Sequence, residues 1–154
     1  MKGAFTIAFV LACIATVSPG HAQTLKQQLV GTWILTNGME KYPDKTLTPW
    51  ETGNLTLTPD GHVTFFLIGK DRPKTDKNPR NPIAPVVAYY GTYTLDESAK
   101  TIFFHIDRGA SPIFDKAERK QSITLNGDSL VTSGIPTQTP EGTMTPVNEW
   151  KRAK

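Results

Sequence analysis

Val30-Gly31-Thr32-Trp33-Ile34-Leu35 follows a short amphipathic run (Leu25, Leu29) and opens the first strand-like segment of the chain. Gly31 lets the backbone turn sharply or pack closely, because it carries no Cβ. Trp33 buries a large apolar surface and keeps one N–H that needs a partner. At the far end stands Asn148-Glu149-Trp150-Lys151-Arg152, a last strand that ends on a cation. When a sheet closes into a barrel its first and last strands meet, and Arg152 would then lie over the face of Trp33. Gly31, Trp33, Trp150 and Arg152 are therefore expected in structural roles.

Between these ends, no helical period lasts longer than a turn or two. Short β-rich runs separated by turn residues dominate, the pattern of a sandwich or barrel. Strands are expected at about 31–39, 51–58, 62–69, 86–95, 100–107, 118–125, 129–134 and 143–152. Leu55 and Leu57 share one face, as do Val63, Phe65 and Leu67, then Val87, Tyr89 and Tyr93, and later Ile123 and Leu125. Pro59-Asp60-Gly61 and Asn126-Gly127-Asp128 read as tight hairpin turns, since glycine and Asn/Asp tolerate positive φ. Asp96 to Ala99 is a third short connection. The short connections follow the second, fourth and sixth strands, whereas the long ones (40–50, 70–85, 108–117, 135–142) follow the first, third, fifth and seventh. In an up-and-down barrel, all the long loops would then gather at one mouth. The expected fold is all-β: a single eight-stranded antiparallel barrel, with a short helical turn at its N-terminus. Such an interior is filled by side chains or holds one small ligand.

Met1 to Ala22 has the make-up of a signal peptide: Lys2, an apolar run from Ala4 to Val17, then Ser-Pro-Gly-His-Ala before Gln23. The run is too short, and wrongly flanked, for a transmembrane segment. Residues 23–154 then form one domain, exported to the periplasm or secreted. The competing reading is a lipoprotein anchored through Cys13, because Val10-Leu11-Ala12-Cys13 resembles a lipobox; the apolar residues after Cys13 stand where a polar tether is expected. Cys13 is the only cysteine, so cleavage after Ala22 removes disulfides and thiol chemistry from the domain. The formal net charge is +3 and loses one unit with Lys2. No block of like charges with interleaved aromatics appears, so nothing points to nucleic acid.

The chain resembles the bacterial lipocalin-like domain family of calycin-type barrels. Leu29-Val30-Gly31-Thr32-Trp33 matches its Leu-x-Gly-x-Trp opening, and Tyr89-Tyr90-Gly91-Thr92-Tyr93 its Tyr-x-Gly-x-Tyr strand. His105 on the following strand and Trp150-Lys151-Arg152 at the end complete the series, with Ser111-Pro112 and Arg119 between them. The resemblance implies a small β-barrel and no assigned activity. Phe104 stands where a second histidine is common, and the loop after Gly69 is unusually long, proline-rich and charged.

Six residues are candidates for ligand binding: Tyr89, Tyr93, His105, Arg119, Phe65 and Leu67. Phe103, His105 and Asp107 point one way on their strand, and Ile102, Phe104 and Ile106 the other. His105 is a polar handle inside the barrel if the first face is inward, and a surface histidine if the second is. Tyr89 and Tyr93 share a face with Gly91, which leaves room, and either line a cavity or sit in the core with their hydroxyls tied to backbone. Arg119 shares a face with Ile123 and Leu125. It either points inward, toward a carboxylate ligand or an internal acid such as Asp107, or reaches solvent from the start of its strand. The loop Lys70, Asp71, Arg72, Lys74, Asp76, Lys77, Arg80 carries five cations against two acids; it either draws anions to the mouth or is a solvated loop.

No Gly-x-Ser-x-Gly elbow, phosphate-binding glycine loop or His-Glu-x-x-His occurs. His62 is the only other histidine beyond the leader and has no ligand-spaced acids beside it, so neither a metal nor a cofactor is expected. Three functions remain: binding of a small hydrophobic or amphipathic molecule, an isomerase- or cyclase-like enzyme using His105 and the tyrosines, and an envelope interaction protein acting through its long loops.

Overall fold

The computed structural model describes residues 23–72 and 85–154; the leader with Cys13, and Lys74 to Arg80 of the charged loop, lie outside the described residues. One helical turn, α1 (Leu25–Leu29), precedes ten strands: β1 (Gly31–Lys41), β2 (Thr46–Leu47), β3 (Trp50–Leu57), β4 (His62–Gly69), β5 (Val86–Asp96), β6 (Thr101–Gly109), β7 (Glu118–Asn126), β8 (Ser129–Gly134), β9 (Thr137–Thr139) and β10 (Gly142–Arg152). A single 3-10 turn, Pro112–Phe114, interrupts the loop between β6 and β7. Eight strands close an antiparallel barrel in the order β1-β3-β4-β5-β6-β7-β8-β10, and β10 pairs back onto β1 from Trp33↔Arg152 to Lys41↔Thr145. The two remaining strands were expected as loop. β2 adds to the rim of β1 and β9 to the rim of β10, and both are too short to carry an alternating pattern.

The apolar alternation becomes the core. Leu55, Leu57, Val63, Phe65, Leu67, Tyr89, Tyr93, Ile102, Phe104, Ile106, Ile123 and Leu130 are all buried between Trp33 and Trp150. Both indoles have their N–H satisfied: Trp33 Nε1 donates to the Leu29 carbonyl at 2.9 Å, and Trp150 Nε1 to Thr132 Oγ1 at 3.0 Å. These contacts fill most of the barrel with side chains.

One end is sealed. The tight turns between β3 and β4, β5 and β6, and β7 and β8 lie there, with Gly61 (φ +91°) and Gly127 (φ +55°) in conformations that favour glycine. α1 lies at the same end, its own N-terminus closed by a capping box in which Thr24 Oγ1 accepts from Gln27 N and Gln27 Oε1 from Thr24 N. Leu25 N also donates to Glu97 Oε2, which ties the helix to the β5–β6 turn. Arg152 locks helix to barrel: its guanidinium lies over Trp33 and donates to the carbonyls of Val30 and Gln28. At Gly31 (φ +133°) any side chain would also press on that guanidinium.

Among the described residues, the connections after β1, β6 and β8 and the two ends of the one after β4 lie at the opposite end, which is the mouth. Gly91 was expected to leave room in a cavity, and its role is different. It sits at a bulge where β5 slips against β6, and a Cβ there would collide with the His105 carbonyl. Among the described residues, no helix is long and apolar enough to cross a membrane.

Candidate binding site at the barrel mouth

Inward-facing positions near the long loops enclose a cavity of about 190 Å³. Its apolar walls come from Trp50, Phe65, Leu67, Val87 and Phe114, with Met144 and Pro146 on β10. Strand parity explains the set. Phe65 and Leu67 continue the Val63 face of β4, and Val87 continues the Tyr89 face of β5. Phe114 is delivered by the 3-10 turn, whose N-terminal Pro112 has the φ such a turn requires.

Four polar side chains share this cavity: Glu40, Arg119, Gln121 and Asn148. Arg119 and Gln121 alternate with Ile123 on the inner face of β7, so Gln121 lies one pleat deeper than Arg119. Asn148 stands between Pro146 and Trp150 on β10 in the same way. The Arg119 guanidinium is flanked by the rings of Phe114 (5.4 Å to the centroid) and Tyr89 (5.9 Å). Among the described residues, no carboxylate lies within ion-pair distance of it. The internal acid considered for it, Asp107, points outward and pairs with Lys116 at 3.0 Å. Burial raises the Glu40 carboxyl above its ordinary range, and repulsion from Glu141 adds to this; a hydrogen bond with Tyr42 opposes both.

The six candidate residues separate. Phe65, Leu67 and Arg119 line the cavity. Tyr89 lies behind its wall, stacked on Phe65 with centroids 4.7 Å apart and planes 7° apart. Its hydroxyl is buried without a partner among the described residues, and burial pushes the phenol far above its usual range, only partly offset by Arg119. Tyr93 belongs to the sealed end, where its hydroxyl donates to the Thr58 carbonyl at 2.9 Å. It is a core residue remote from the mouth. His105 is a second correction: it faces out of the barrel, held between Glu118 Oε2 (3.1 Å from Nδ1) and Thr94 Oγ1 (3.0 Å from Nε2). The reason is the opposite face of β6, where Ile102, Phe104 and Ile106 are more apolar and take the core.

Gln121 and Asn148 are not among the six, although parity marks them as polar residues on otherwise apolar faces. Both are almost fully buried, and neither side-chain oxygen has a hydrogen-bond partner among the described residues. Glu40 and Phe114 lie on strand-end and loop positions that periodicity does not place. A larger hollow, about 360 Å³, is open to solvent on the outer wall beside Phe66, Ala88 and Tyr90. Its one charged group, Arg108, is already paired with Asp115 at 3.2 Å, which leaves no free charge there to orient a ligand. Among the described residues, no group of three or more His, Cys, Asp or Glu side chains is placed to hold a metal.

No protein-family model matches this chain, and no curated protein is similar enough to count as a relative.

Proposed function

We propose that this protein is an exported binding protein of lipocalin-like type, which holds a small, mainly apolar molecule with an anionic end in the mouth of its barrel. The observation that carries this reading is Arg119, a cation among apolar walls with no acid partner in the described residues. Such a site offers apolar contact for the body of a ligand and one charge to orient it. The volume sets the scale. At about 190 Å³ the cavity falls below the range of about 300–1,000 Å³ usual for drug-sized ligands, so it suits a single ring or short chain. Export rests on the composition of Met1 to Ala22. The enzyme alternative loses support, because His105, Tyr93 and Tyr89 occupy the outer surface, the sealed end and the cavity wall and do not meet in one cavity.

Native mass spectrometry of the full chain, expressed with its own leader and recovered from the cell envelope, tests the reading. A mass beginning at Gln23 with a retained small molecule supports it. A ligand-free mass unchanged by a panel of small apolar acids overturns it.

A second reading has its own observation. Ile113 (77% exposed) and Ile135 (58%) stand out from the long loops at the mouth, apolar side chains suited to contact with another envelope component. Cross-linking from residue 113 in intact cells tests this. Exclusive recovery of uncross-linked protein would count against it.

A further inference from the structure

We infer that the ligand of the mouth reaches through the barrel wall beside β7: a phosphodiester anion rests on Arg119, one short apolar arm fills the mouth cavity, and a second arm lies in a hollow outside it. This rests on the mouth cavity being a ligand site and adds what lies beyond the anion. The wall is incomplete at this point. β7 pairs with β6 from Glu118 to Ser122, but with β8 only from Gln121 onward. There β8 has reached its end at Gly134, and β9 pairs with β10 and with no other strand among the described residues. The edge formed by Glu118, Arg119 and Lys120 therefore has a strand on one side only.

A hollow of about 250 Å³ occupies this gap. Ile113, Ala117 and Ile135 give it apolar walls, and Thr137 borders it from β9. Arg119 and Phe114 belong both to this lining and to that of the mouth cavity. The cation thus stands between two apolar spaces, not at the end of one. The other charged side chains on the outer hollow are engaged: Glu118 is held by His105 at 3.1 Å, and Lys120 lies over the Phe103 ring, 5.7 Å from its centroid. A terminal carboxylate on Arg119 fills one space and leaves the isoleucines of the other in water. A phosphodiester has two charged oxygens, which match the guanidinium fork, and two ester oxygens, from which arms leave in different directions. The volumes limit those arms. At about 190 and 250 Å³ each space falls below the range of about 300–1,000 Å³ usual for drug-sized ligands, and only together do they reach it, so each arm is short.

The test compares dibutyl phosphate with butyl methyl phosphate by calorimetric titration of the purified protein, with phenylacetate as the simple apolar acid. The two diesters share headgroup and charge and differ only in the length of one arm. Each buried methylene is worth roughly fourfold in affinity, so the dibutyl ester, its second arm partly buried, is expected to bind at least about tenfold more tightly. In the double variant Ile113→Ser, Ile135→Ser that preference should fall to about threefold or less, while butyl methyl phosphate binds as before. Both side chains are exposed, so this variant is expected to fold. Arg119→Gln should weaken both diesters together. Equal binding of the two diesters, or a preference that survives the double variant, overturns the inference. So does binding of phenylacetate alone, which leaves the mouth as a site for apolar acids. If neither the diesters nor phenylacetate bind, both readings fall.

Discussion

The guanidinium of Arg152 lies 4.1 Å from the centroid of the Trp33 ring, joining the last strand of the barrel to the first. The same side chain donates to Val30 and Gln28 carbonyls and pairs with Asp128 at 3.3 Å, so one residue ties the helix, two strands and a turn together. The exposed pair contributes little. The cation–π contact is worth about 0.5–2 kcal/mol and each carbonyl bond about 1 kcal/mol. Arg152→Ala is expected to destabilise the fold by about 2.5–4 kcal/mol in urea denaturation while leaving ligand affinity unchanged. Lost binding with intact stability would contradict the structural role.

Gly91 gives the sharpest steric forecast. A methyl group there meets the His105 carbonyl, which the β5–β6 ladder holds in place. Gly91→Ala should cost about 3 kcal/mol, the upper end for overpacking. Gly127 meets nothing within 4 Å, and Gly127→Ala carries only the positive-φ penalty of about 1–2 kcal/mol. Comparable denaturation midpoints for the two variants would refute the bulge as a close backbone approach.

Trp50 lines the cavity, whereas Trp33 and Trp150 are buried with their N–H groups committed. Indole fluorescence therefore reports occupancy through Trp50 alone. Addition of a small apolar acid should change the emission of the unaltered protein and leave Trp50→Phe unchanged. Retention of the full signal in that variant would place the ligand elsewhere.

Glu40 and Asp96 should respond to pH with opposite signs. Folding raises the Glu40 pKa, so the native state holds that proton more tightly than the unfolded chain does. The penalty is absent below the unfolded value of about 4.3 and grows as pH rises through the raised native value. Asp96 is held low, chiefly by the Ser98 hydroxyl and then by the Ala99 N–H. Its contribution is present above its unfolded pKa and lost as pH falls through the lowered one. Stability differences against Glu40→Gln and Asp96→Asn, followed from neutral to acid pH, should slope in opposite directions. Parallel slopes would show that one of the two environments is misassigned.

The barrel was legible because period-two runs such as Val63-x-Phe65-x-Leu67 and turns such as Asn126-Gly127-Asp128 each state their local geometry. The division of long and short connections carried that local information to the level of the mouth. The site was legible only in part. Parity shows that Tyr93 faces inward, but depth along the axis depends on register, and register put Tyr93 at the sealed end. For His105 the two faces of β6 were both apolar enough to compete, and packing chose the one with two isoleucines. Gln121 and Asn148 were visible in the alternation, but a search for apolar periodicity passes over amides.

The position of α1 and the end of β10 at the sealed end fixes an attachment polarity. Anything joined before Gln23 or after Lys154 leaves the molecule from the pole opposite its opening. A tether to a surface, whether a natural anchor or an engineered linker, would therefore present the mouth outward to whatever diffuses past.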